Sequence, residues 1–122
     1  MIIEKEEKMM KFDLYQFVLT NEMIDEVNAP DKKEYPEFYQ KYMDVTWKPT
    51  AESILAAKEY FVKVAEIDAR SYEDVFTVGN VGPEGQINRL APMHSISVGD
   101  VVVANGVAKF VAPMGFGSVA FL

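Results

Sequence analysis

The 122-residue chain has no cysteine, one histidine and only two arginines. Without cysteine there is no disulfide and no thiolate chemistry. One histidine does not supply the converging ligands of a transition-metal centre, so neither metal nor cofactor is expected. No apolar run approaches the roughly 20 residues that span a bilayer. The opening MIIEKEEKMM mixes both signs and lacks the hydrophobic block of a secretory signal. These absences predict no membrane partner and a cytoplasmic location. The scarcity of arginine and a net charge of −7 also oppose binding to phosphate backbones, so no nucleic-acid partner is expected.

Charge is also scarce in one region. Residues 1–75 hold seventeen of the nineteen acids against ten bases, while residues 76–122 hold only Glu84, Arg89, Asp100 and Lys109 and are neutral. Acids and bases interleave in EKEEK and DKKE, which reads as a solvated surface rather than a mimic of DNA. Hydrophobic residues make up 49% of the chain, including fourteen Phe and Tyr and the single Trp47. That composition supports one self-sufficient core at this length. Residues 1–9 are expected to form a charged arm and residues 10–122 a single domain.

In KFDLYQFVL successive side chains are apolar on both faces, which predicts a central strand near 11–19. Thr20 or Asn21 can cap a helix near 22–28 that Pro30 stops. Pro36 opens a second near 36–44, with Phe38/Tyr42 and Tyr39/Met43 four apart. Thr50 can cap a third near 51–58, and alternation from Tyr60 predicts a strand near 60–67. Ser71 and Asp74 form a capping-box pattern for a helix near 71–78, with Gly79 as its left-handed exit. The aperiodic stretch from Asn80 to Gly99 reads as a long loop. Asn105-Gly106 lies between two apolar runs and predicts a tight hairpin of strands 100–104 and 107–112. SVAFL is a candidate last strand.

The catalytic patterns are weak. GNVGPEG lacks the Gly-Lys-Ser/Thr ending of a phosphate loop. A Ser95/His94/Asp100 hydrolase would lack an oxyanion-hole turn. Asp100 and the nearby serines are better suited to accepting backbone N–H groups in the turn that launches the hairpin.

Three sets of residues nevertheless stand in a suggestive order: Tyr15 and Gln16; Ser95, Ser97, Val98 and Asp100; then Phe110, Val111, Gly115 and Phe116. In this the chain resembles the YodL-like group of small proteins carried by phages, plasmids and conjugative elements. The resemblance covers roughly half the chain and implies a mobile-element accessory role without a defined activity.

The expected fold is α+β: a small domain with a mixed or antiparallel sheet of about four strands, a C-terminal hairpin and several short helices. The expected function is non-enzymatic, through a surface that meets a protein partner; homo-oligomerisation stays open. The alternatives are a small-molecule enzyme or a barrel-like nucleic-acid module. Loop 80–98 gathers amide, cationic and apolar side chains of the kind enriched at interfaces. Asn80, Arg89, His94 and Ser95 are the candidate surface, with Trp47 joining if the two connections meet.

Overall fold

The computed structural model describes residues 8–29 and 34–122. Most of the expected arm and the expected stop at Pro30 lie outside them. The described chain is a single domain of six strands and four α-helices. In chain order these are β1 (Met10–Phe17), α1 (Asn21–Val27), α2 (Glu37–Trp47), α3 (Ala51–Ala56), β2 (Phe61–Ala69), α4 (Tyr72–Val81), β3 (Ile87–Arg89), β4 (Val101–Ala104), β5 (Val107–Ala112) and β6 (Gly115–Val119). The strands lie in the order β3-β2-β1-β4-β5-β6, every neighbouring pair antiparallel.

The sheet thus has six strands, not about four. The two additions are β3, inside the stretch expected to be loop, and β6, which begins before SVAFL. A three-residue strand and a glycine-rich one carry too little periodicity to stand out.

Both faces of the sheet are covered. Phe12, Leu14, Ile67, Val102 and Val111 point to one side and pack with Val75 and Val78 of α4. Phe17, Val101, Val103 and Phe110 point to the other and meet Val45 of α2, Ile54 of α3 and Phe121. β1 is central, as its two apolar faces predict. Its last aromatic, Phe17, has Tyr42, Tyr60 and Phe61 around it at centroid distances of 5.3, 5.1 and 5.8 Å.

A bulge organises β2. Leu14 pairs with Ala65 but Tyr15 with Lys63, leaving Val64 as the extra residue. Val64 and Ala65 are both fully buried on the α4 side, and the alternation reverses beyond them. That reversal turns Phe61 into the opposite core and places Lys63 between Asp13 and Glu66, each 3.2 Å away.

The helix caps follow the sequence closely. The hydroxyls of Thr20, Thr50 and Ser71 accept from the backbone N–H groups of Met23, Ser53 and Asp74. The Asp74 carboxylate reaches Arg70 N rather than the cap residue itself. Two helix ends differ from expectation. α2 continues through Trp47, placing that residue in the last helical turn rather than in a connection. α4 runs through Gly79 to Val81, and Gly82, at φ +100°, makes the exit. Gly79 is required for another reason: a β-carbon there would lie 2.2 Å from Ile96 Cδ1. The third helix ends at Ala56, and a 3-10 turn at Lys58–Tyr60 leads into β2. The Asn105-Gly106 hairpin forms as expected, with φ of 50° and 76°.

Candidate functional site

Residues 92–97 run between β3 and β4 as a strap that belongs to no strand or helix. The strap is held by groups borrowed from elsewhere. At its start, Leu90 and Ala91 donate their N–H groups to the Val64 carbonyl that the bulge leaves available. Further on, the Gln16 carboxamide accepts from His94 N at 3.2 Å and donates to His94 O at 2.9 Å. The Asn80 carboxamide does the same for Ile96, accepting from its N–H and donating to its carbonyl at 2.6 and 3.1 Å. A side-chain amide carries one donor and one acceptor side by side, so it can replace a neighbouring strand for a single residue. Two amides, on residues two apart, dock the strap.

Gln16 is 1% exposed, and its second N–H donates to Asp100 Oδ2 at 3.0 Å. The same oxygen accepts from Ser97 N at 3.0 Å, while Asp100 N donates to Ser97 O. Asp100 therefore holds the turn into β4, as its sequence context predicts, and Ser97 contributes its backbone. The adjoining Gly99 adopts φ +96°, and a β-carbon there would lie 2.6 Å from the Val45 carbonyl. Burial pushes the Asp100 carboxyl up to about 6; the Ser97 N–H, the Gln16 amide and nearby His94 oppose that rise.

The His94 ring lies at the rim. Its Nδ1 is 2.7 Å from Ser95 O and 3.2 Å from Gln16 Nε2. Both Gln16 N–H groups are already directed at His94 O and Asp100. A carbonyl oxygen can only accept, so Nδ1 donates to Ser95 O. Asp100 spends its Oδ2 on Gln16 and Ser97 rather than on the imidazole, so the three residues do not form a Ser-His-Asp relay.

Between the strap and the end of β1 lies an open groove of about 370 Å3. Residues 16–19 line it from β1 and the segment after it, Pro92, Met93 and His94 from the strap, and Tyr42 from α2. None of these side chains is Asp, Glu, Lys or Arg. A smaller cavity of about 40 Å3 shares Phe17, Tyr42 and His94 with the groove and reaches Asp100 and Thr46.

The five residues expected to form a surface are distributed as follows. His94 and Ser95 lie on the strap, His94 at the groove. Asn80 is a clamp for that strap. Arg89 is on β3 and pairs with Glu84. Trp47 is 70% exposed and lines a separate hollow of about 410 Å3 with Met43, Asp44, Lys48 and Ser53. Sequence reading missed Gln16 as a site residue. Its signal was present: a carboxamide two residues after Leu14, on an apolar face of a central strand, must find buried partners.

Among the described residues no three His, Cys, Asp or Glu come together as a metal site, and no helix is long and apolar enough to cross a membrane. Compared with protein-family models, curated proteins and solved structures, the chain matches none.

Proposed function

We propose that the protein is a non-enzymatic binding module, acting in the cytoplasm, that receives an uncharged segment of a protein partner in the groove between β1 and the strap. The observation that carries this reading is the composition of the groove. In a chain that is 25% charged, it offers aromatic, aliphatic, proline and methionine surface edged by one imidazole. Apolar walls with a few polar groups at the rim are what a partner's anchoring side chain requires. The YodL-like resemblance supports a setting on a phage, plasmid or related element, where the partner is a host or element protein. Gln16 and Asp100, which belong to two of the resembling blocks, bond to each other beneath the groove.

The test is affinity capture from cells carrying the gene, comparing wild type with Pro92→Glu and Trp47→Ala. Pro92 is exposed on the groove wall, so its substitution adds charge without opening the core. The expected result is one stoichiometric protein held by wild type and Trp47→Ala and lost from Pro92→Glu, with melting temperatures unchanged. Equal capture by Pro92→Glu removes the groove from the reading. Co-purified nucleic acid with steep salt dependence replaces it with a nucleic-acid module.

A further inference from the structure

The sheet ends in two unlike edges. β3 is three residues long, includes Arg89 paired with Glu84, and has Pro83 before it and Pro92 after it. Shortness, charge and proline are the features that discourage an edge from pairing. β6 is longer and carries no charge, with Pro113 in the turn before it. It is five residues long, GFGSV, and its register with β5 runs unbroken from Ala108↔Val119 to Ala112↔Gly115. After Lys109 no side chain through Leu122 is charged.

The ladder decides which backbone groups of β6 face outward. Val111 donates its N–H to Asp100 O on the β4 side. Alternation therefore directs Ala108, Phe110 and Ala112 toward β6, where they meet Val119, Gly117 and Gly115. The N–H and C=O groups of Phe116 and Ser118 point away from the sheet.

We propose that β6 pairs antiparallel with β6 of a second copy of this chain, about a twofold axis at Gly117, joining two sheets into one. The strand is self-complementary in that register. Phe116 of each copy faces Ser118 of the other, so every outward N–H meets an outward C=O. The closest backbone approach falls at Gly117, which has no side chain to obstruct it. Repulsion between copies of net charge −7 is small at the seam, because the excess acid lies within residues 1–75. This surface is separate from the groove, and either can fail without the other.

Sedimentation across a concentration series reads the assembly directly. Wild type is expected to reach the mass of a dimer. Ser118→Pro removes one outward N–H and leaves the β5 ladder intact, so it should stay monomeric and melt where wild type melts once diluted to monomer. A second pair of variants decides the matter even if proline disturbs folding. Across the proposed axis the two Ser118 positions are diagonal neighbours, about 7–8 Å apart and within reach of long side chains. Ser118→Glu and Ser118→Lys should each lose the dimer alone and regain it when mixed. A monomeric wild type at every concentration, a dimeric Ser118→Pro, or a Glu/Lys mixture that does not associate overturns the proposal.

Discussion

Gln16 and Asp100, eighty-four residues apart in the chain, share a buried hydrogen bond of 3.0 Å beneath the strap. One carboxamide thereby joins the central strand, the strap and the turn into β4. Gln16→Leu keeps comparable bulk and removes every polar partner at once. It leaves the backbone of His94 and the Asp100 carboxyl short of bonds, at a cost of about 2–4 kcal/mol. Urea unfolding checks this, and a loss below about 1 kcal/mol contradicts the clamp.

Asp100 makes stability depend on pH in the sense opposite to an ion-paired carboxylate. Its folded value, about 6, lies above the ordinary 3.8, so the folded state holds the proton more tightly. The stabilisation is complete below about 3.8 and is lost as pH rises through about 6. Relative to Asp100→Asn, the wild type should lose on the order of 2–3 kcal/mol between pH 4 and pH 7. Glu66 and Glu84, whose values are lowered chiefly by hydrogen bonds from Lys63 and Arg89, act in the other direction but are common to both proteins. Parallel stability curves for the two would refute the assignment.

Gly79→Ala tests the contact between α4 and the strap. Alanine is the better helix former by about 1 kcal/mol, yet its methyl would overlap the Ile96 side chain. Overpacking of this kind costs about 1–3 kcal/mol, so the variant should be less stable, not more. Ile96→Ala in the same chain should recover part of the loss. Calorimetric melting of the two single variants and the double variant measures the coupling.

Gly106→Val isolates backbone strain. Nothing lies within 4 Å of a β-carbon at Gly106, but its φ is +76°. A branched residue held there should cost about 1–2 kcal/mol. An unchanged melting temperature would mean the turn does not require positive φ.

Where local chemistry sets the structure, the sequence was readable. Thr20, Thr50, Ser71 and the Asn105-Gly106 pair act through their immediate neighbours, and each does what its residue type predicts. β3 was not readable, because three residues such as Ile-Asn-Arg acquire strand geometry only from their neighbour β2. Gly79 looked like a helix terminator, since its real constraint is a side chain seventeen residues away. The Asn80 and Gln16 clamps were hidden for the same reason. An amide has no preferred partner until the fold puts one in front of it. Of the residues that line the candidate groove, the sequence singles out His94 but not the opposing wall at residues 16–19.

The way the strap is attached sets how it can come loose. His94 and Ile96 owe their amide protection to two carboxamides, so the segment is released by rotating those side chains and withdrawing Ile96 from the core, without breaking a rung between strands. Opening there is a sub-global event with its own free energy, below that of unfolding the sheet. Hydrogen exchange at His94 and Ile96 should accordingly be faster than in β1 or β4 and independent of them. An occupant that leans on the strap wall slows those two amides by its own binding free energy. Occupancy of the groove thus has a readout in the exchange rates of two backbone protons that the occupant need not touch.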